Sequence, residues 1–349
     1  MPRGSASRWT MPSWRSTASK KKWRPERRGR KDGDVKRILN LAIAGALWAV
    51  AAGVPAQQYP ARPITMLCWS AAGSPVDLYA RMMAKLLAAE LGQNIVVDNR
   101  TGGSGIVMVN LLLRAPADGH TIAANTITLA TLFSEAGATF KPEDLQMVAR
   151  SQVDPYGLIV HASTPFKTID EFVAFARKKP GFLNIGGPFA MSGHRVAWEV
   201  LADKAKFKTT WVPYQGGGPA LIAVAGGHVD AAATNPGNVK PLISAGKVRV
   251  LAVSSELRIE DFPDVPTYKE RGWDLVRYQW RGLMVKAGTP RPVLDRLVAA
   301  TQKAQQTAEW KSYLRQVTQL DGFQGPDAFR AQLLQDMQEM ETVKKKLGL

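Results

Sequence analysis

The sequence predicts an α/β protein, and three observations carry that reading. Close to the start of the main body, two units in succession read as strand, tight loop and helix. Apolar runs then alternate with helical apolar spacing along the rest of the chain. About 290 residues follow the N-terminal leader, enough on the usual domain size for two domains.

The first unit opens with the apolar run Ile64-Thr65-Met66-Leu67-Cys68-Trp69. The loop Ser70-Ala71-Ala72-Gly73-Ser74-Pro75-Val76-Asp77 follows, and helical spacing runs over 78–91. A small-residue loop that feeds a helix leaves first-turn amides without intrahelical partners and sets the positive end of the helix dipole beside them. That makes the loop a candidate anion site. The second unit is a strand over 94–98, the stretch Asn99-Arg100-Thr101-Gly102-Gly103-Ser104-Gly105, and a helix over 106–113. Two such units suggest a parallel sheet with ligands at the strand C-termini.

Further strands are expected at 121–124, 158–160, 184–185, 208–212, 229–233 and 248–253. Helices are expected at 168–178, opened by Thr168 with Glu171 at capping-box spacing, and at 193–201, 292–307 and 327–347. No internal repeat of fixed period is present.

The chain of 349 residues carries a formal charge of +17, but its distribution argues against a nucleic-acid partner. Residues 1–56 hold 13 of the 46 Lys and Arg and only 3 of the 29 acidic residues, so the basicity is concentrated in the leader. No aromatic platform or recognition fold accompanies it. Lys36-Arg37, the apolar stretch over 38–54 and Val54-Pro55-Ala56 read as a secretory signal peptide cleaved after Ala56, which predicts an exported protein. A single membrane anchor is the alternative, since the stretch approaches the roughly 18 residues of a span; its Ala and Gly content favours cleavage. Val35 read as a GTG start would begin an ordinary signal peptide, so residues 1–34 are expected not to be made. The single cysteine, Cys68, falls in a predicted strand and reads as a small buried apolar residue.

Several stretches resemble, in order, signatures of the Bug family, the periplasmic solute-binding receptors of tripartite tricarboxylate transporters. They are Tyr59-Pro60-Ala61-Arg62-Pro63-Ile64, Gly73-Ser74-Pro75-Val76-Asp77 with Arg81, Val96-Val97-Asp98-Asn99-Arg100-Thr101-Gly102-Gly103, and Ala115-Pro116-Ala117-Asp118-Gly119-His120-Thr121. Val212-Pro213-Tyr214-Gln215-Gly216-Gly217-Gly218-Pro219-Ala220, Gly226-Gly227-His228-Val229-Asp230 and Pro263-Asp264-Val265-Pro266-Thr267 follow. The resemblance implies a two-lobed clamshell of the periplasmic-binding-protein type, with the chain crossing between lobes near Val153-Asp154-Pro155-Tyr156 and near Tyr278-Gln279-Trp280-Arg281. One lobe is then 57–156 plus 281–349, and the other 157–280. It implies a monomeric receptor that captures a small organic carboxylate between the lobes and delivers it to membrane permease subunits, without cofactor or metal. A periplasmic sensor feeding a two-component system and an α/β hydrolase are the alternatives.

The ligand-binding residues expected from these loops are Ser70, Ala71, Ala72, Gly73, Ser74 and Asp77 in the first loop, and Asn125 and Thr126 after the third strand. The second lobe is expected to add Ser192, His194, Tyr214, Gly216, Gly217 and Asn235. The resemblance implies that loop amides, hydroxyls and ordered waters hold the carboxylate, not an arginine clamp. Asp77 has two readings: an acceptor for orphan amides that fixes the loop, or a contact for a ligand amine. Trp69 also has two, packing in its strand or stacking on an aromatic or apolar ligand body. Gly216-Gly217-Gly218 lets the chain pass close to a ligand, so valine at Gly217 is expected to fold and lose affinity. Ala71-Ala72 and Gly73-Ser74 stand where the family often has paired prolines or a double glycine, which leaves the ligand class open. No G-x-S-x-G, Walker, G-x-G-x-x-G or H-E-x-x-H pattern occurs, and the four histidines show no ligand spacing.

Overall fold

The computed structural model describes residues 59–135 and 137–348. The leader, signal peptide and Val35 start lie outside the described residues. The first unit forms β1 (Ile64–Cys68) and α1 (Pro75–Leu91). Ser74 caps α1, its hydroxyl accepting from the Asp77 amide, Pro75 occupies the first helical position, and Gly92 closes the helix in the left-handed region. The second unit is β2 (Ile95–Asn99), a 3-10 turn at Gly103–Gly105 and α2 (Ile106–Arg114). β3 (Thr121–Thr126) and a short α3 (Leu129–Leu132) follow.

The sheet of this lobe is not the parallel one expected from the two units. It has six strands in the order β11-β4-β10-β3-β1-β2, where β4 is Leu145–Pro155, β10 is Tyr278–Lys286 and β11 is Leu320–Gln324. Only β1, β2 and β3 pair in parallel; β10 inserts antiparallel between β3 and β4, and β11 pairs antiparallel with β4. Neither β4 nor β10 was expected as a full strand. Both are buried on their two faces over most of their length, so the period-two alternation that marks a half-exposed strand is missing.

The second lobe holds five strands in the order β7-β6-β8-β5-β9. They are β5 (Gly157–His161), β6 (Asn184–Pro188), β7 (Thr210–Tyr214), β8 (Ala231–Thr234) and β9 (Val248–Val253). Its helices are α4 (Ile169–Lys178), α5 (Gly193–Lys204), α6 (Gly217–Ala225) and the short α7 (Lys240–Ser244). The capping box of Thr168 and Glu171 forms at the start of α4. Each sheet is covered on both faces, by Tyr79, Trp310, Leu112 and Phe329 in the first lobe and by Phe172, Trp198, Leu221 and Val224 in the second.

The chain leaves the first sheet at Pro155 and enters the second at Gly157. It returns between Val253 and Tyr278. The two passages are stitched together: the Tyr156 amide donates to Ser254 Oγ and the Ser254 amide to the Tyr156 carbonyl, both 2.8 Å. Registers place Thr234 at the end of β8 opposite Gly157, and Thr126 at the end of β3 opposite Arg281. The C-terminal ends of the parallel strands of both lobes therefore converge on the crossing.

After β10 the chain forms α8 (Arg291–Gln306), α9 (Ala308–Val317) and α10 (Pro326–Leu347). α9 was not expected; Thr307 ends α8 and its hydroxyl caps α9 by accepting from the Trp310 amide (3.1 Å). α10 packs on β4 and reaches the second lobe, where Lys346 meets Asp203 (2.7 Å) and Glu199 (3.1 Å) of α5. Among the described residues no helix is long and apolar enough to cross a membrane. Cys68 is fully buried in β1.

Candidate ligand site

In the first lobe the loop between β1 and α1 is built around one carboxylate. Asp77 is 1% exposed. Its Oδ2 accepts from the Gly73 amide (2.8 Å) and Arg81 Nε (2.9 Å), and its Oδ1 from Asn99 Nδ2 (2.8 Å), which also donates to the Ser70 carbonyl (2.8 Å). Burial opposes ionisation, but these hydrogen bonds overcome it and hold the carboxyl below its ordinary value. Asp77 thus sits beneath the loop with its lone pairs engaged, the first of the two readings above. Gly73 takes φ +80°, which glycine adopts without strain, and Ala71, Ala72 and Gly73 stand exposed.

Asn125 and Thr126 close β3 and are both buried. The Thr126 hydroxyl accepts from the Thr128 amide (3.3 Å), while neither end of the Asn125 amide finds a partner among the described residues.

In the second lobe Ser192 caps α5: its Oγ accepts from the Arg195 amide (3.2 Å) and donates to the Pro188 carbonyl (2.7 Å). Asn235 Nδ2 donates to the Pro155 (3.0 Å) and Asp154 (3.3 Å) carbonyls, so its Oδ1 is the acceptor for His194 Nε2 at 2.7 Å. That fixes the proton of His194 on Nε2 and leaves Nδ1 as a bare acceptor. Burial pushes the imidazole down to about 4, partly offset by the bond to Asn235, so the ring is neutral at pH 7. Asn235 ties the end of β8 to the interlobe crossing.

Tyr214, Gly216 and Gly217 lie where β7 turns into α6. A side chain on Gly217 would strike Thr234 Oγ1. The expected consequence of valine at Gly217 is therefore corrected: the substitution disturbs the packing of the loop on β8 before any ligand is met. The neighbouring Gly218 faces open space.

A cavity of about 290 Å³ lies between the lobes. Trp69, Ile127 and Thr128 wall it from the first lobe; Phe189, Ser192 and His194 wall it from the second. Phe189 holds φ +53°, in the left-handed region that a bulky residue seldom occupies, with its amide bound to the Tyr214 carbonyl (2.8 Å). Of the expected site residues only Ser192 and His194 line this cavity. The first-loop residues, Asn125, Thr126, Tyr214, Gly216, Gly217 and Asn235 stand at neighbouring strand ends. Trp69 lines it, which is the stacking position, and Ile127, Thr128, Phe189 and Met340 were missed. Ile127 and Thr128 could have been found by extending the loop after β3 by two residues; Met340 could not, since α10 reaches the cleft only through the fold. A larger cavity, about 620 Å³, opens on the outer side between α5 and the end of α10, and none of the expected residues lines it.

Beside the crossing, Asp154 is buried with its Oδ2 accepting from Gln319 Nε2 (3.0 Å), while Arg281 Nη1 donates to Gln319 Oε1 (2.8 Å). Burial pushes the Asp154 carboxyl up to about 7 despite the nearby Arg281 charge.

Residues 79–349 match the family model described as the tripartite tricarboxylate transporter family receptor, TctC. BugT of Bordetella pertussis is 30% identical over 271 residues, which is 74% of this chain and 80% of that protein. A TctC solute-binding protein from Polaromonas, solved without ligand, superposes with a TM-score of 0.75 at 30% identity, covering 82% of this chain and 99% of that one. MatC from Rhodopseudomonas palustris, solved with bound malate, gives 0.63 at 27% identity, covering 82% and 99%. With two sheet-centred lobes and a cavity at their facing strand ends, the chain belongs to the TctC family of periplasmic solute-binding receptors.

Proposed function

We propose that this receptor captures a small organic carboxylate in the interlobe cavity and delivers it to the membrane subunits of a tripartite tricarboxylate-type transporter, without chemical turnover. The observation that carries the reading is the cavity itself, walled by both lobes and faced by the start of α5, where the Gly193 and His194 amides precede the first intrahelical bond, Val196 N to the Ser192 carbonyl (3.0 Å). Malate in MatC supports a carboxylate as the ligand class. Family membership supports export by the predicted signal peptide and the permease as partner.

Native mass spectrometry of protein from its host should find a retained acid. Thermal shift with mono- and dicarboxylates should find stabilisation, because a ligand that binds only the folded state raises its apparent stability. The amide analogue of the best ligand should lose most of that shift. Steady conversion of the best ligand by pure protein would sink the proposal.

A further inference from the structure

The outer cavity of about 620 Å³ shares no residue with the interlobe one. Its walls come from the end of α4, from α5, from the segment that joins α5 to β7, and from the end of α10. Five of the lining residues are basic and two are acidic, so the lining carries +3. The two carboxylates already have partners: Glu199 pairs with Arg195 Nε (2.8 Å) and Lys346 Nζ (3.1 Å), and Asp203 with Lys346 Nζ (2.7 Å). Arg177, Lys206 and Lys208 line the same cavity and have no carboxylate partner among the described residues. Like charges gathered on one cavity repel one another, and an anion between them removes that cost.

Other features of the walls suit an anion. Arg177 Nε donates to the Ala205 carbonyl (2.8 Å), which positions the guanidinium, answers the negative end of α5 and leaves its terminal nitrogens as donors. Thr209 Oγ1 accepts from Trp198 Nε1 (2.9 Å), so its own proton is available to donate. Lys206 holds φ +54°, a left-handed position just past α5 where glycine would be unstrained, so this lysine stands there at a conformational cost. Phe207 and Leu347 add apolar surface.

We propose that this cavity is a second binding site, and that it takes a phosphate monoester. The phosphoryl group lies among Arg177, Lys206 and Lys208, and the ester body against Phe207 and Leu347. A monoester carries a charge of about −1.5 to −2 at pH 7 on three strong acceptor oxygens, which three cations match, whereas a single carboxylate would leave most of the +3 uncompensated. The volume falls within the range of small-molecule sites, which leaves room for the ester body. The site stands or falls independently of the carboxylate reading of the interlobe cavity. Two sources offer this chemistry, a soluble phosphate ester and the headgroup of phosphatidic acid.

The test uses the exported protein, with calorimetric titration of glycerol 3-phosphate and of glycerol, and with sedimentation on phosphatidylcholine vesicles made with or without phosphatidic acid. Lys206→Gly combined with Lys208→Gln removes two of the cations; both positions are exposed and glycine accepts the left-handed backbone, so the parent's melting behaviour should be kept. Loss of two charge-assisted contacts should weaken phosphate-ester binding by about tenfold or more. Lys204→Gln, an exposed change on α5 outside the cavity lining, should bind like the parent. Binding should also weaken as ionic strength rises, and glycerol should not bind.

Glycerol 3-phosphate binding that falls in the double variant supports the site with a soluble ester as its source. Sedimentation that requires phosphatidic acid and falls in the double variant, with no binding of glycerol 3-phosphate, supports it with the lipid as source. Equal binding by parent and double variant, an equal loss in Lys204→Gln, or no binding of either probe overturns the proposal.

Discussion

The strand-end loops of the two lobes are held in place by different physics. In the first lobe one buried carboxylate, Asp77, gathers the Gly73 amide, Arg81 and Asn99 and so sets the whole loop from Ser70 to Ser74. In the second lobe the loops are set by contact. A side chain on Gly187 would collide with the Trp211 ring, one on Gly193 would press on the Tyr156 hydroxyl, and one on Gly217 would strike Thr234. The first loop is therefore sensitive to charge and the second set to volume. The first-turn residues of α5 at the cavity belong to the contact-set lobe, while the amide of Gly73 is engaged by Asp77 within the protein itself.

That contrast is broken most forcefully at Asp77. Asp77→Ala strands the Gly73 amide and Asn99 and frees Arg81, which is half exposed and so contributes less than a buried partner. A loss of about 2 to 4 kcal/mol is expected from the charge-assisted hydrogen bonds, read as a lower urea midpoint with unchanged slope. The sign with pH follows: a carboxyl depressed in the folded state gives stability that is complete above its unfolded value near 4 and is lost as pH falls through the folded one. An Asp77→Ala protein that melts like the parent at pH 7 would remove the carboxylate from its central role.

Gly187→Ala tests the volume-set side. Its new methyl displaces Trp211, whose Nε1 donates to the Phe189 carbonyl (2.9 Å), so the strained cavity wall moves with it. Overpacking of this kind costs about 1 to 3 kcal/mol, and ligand affinity should fall with stability at every pH. A loss of stability without a loss of affinity would separate Trp211 from the cavity wall.

The crossing between the lobes carries the opposite pH sign to Asp77. Asp154, pushed up to about 7, penalises the folded state as pH rises from about 4, the unfolded value, to about 7. Asp336, pushed up to about 6 by burial, acts in the same direction, whereas neutral buried His194 loses stability as pH falls from its unfolded value near 6.5 towards about 4. The measurement is therefore a difference: Asp154→Asn should gain melting temperature relative to the parent between pH 5 and pH 8. Parallel melting curves would show that Asp154 does not titrate there.

The smallest effect is expected at Gly218, which has open space around it while its neighbour has none. Gly218→Ala should stay within about 0.5 kcal/mol of the parent, and Gly217→Ala should not. Gly272 cannot serve as an open-space control, because it sits at φ +87° and would be strained by any side chain. Unchanged ligand affinity in a stable Gly218→Ala protein, together with the same result for Gly218→Val, would place this loop outside the site.

Local chemistry was legible in the sequence wherever it depends on neighbours a few residues apart. The strand, loop and helix of 64–91, the Ser74 cap, the Thr168 and Glu171 capping box and the small-residue loops at strand ends follow from spacing and backbone preference, which act within one or two turns. The order of family signatures carried the two-lobed architecture. Tertiary structure alone decided the rest. β4 and β10 hide because burial on both faces erases alternation. Asp77 could be either a cap or a ligand contact until Arg81 and Asn99 were brought to it, and Asn235 became a tether only when β8 met the backbone of Asp154 and Pro155. Trp69, Phe189 and Met340 share one cavity although 271 residues separate the first from the last. Which side chains face one another across a cleft depends on how two lobes are set by their crossings, and no local periodicity encodes that.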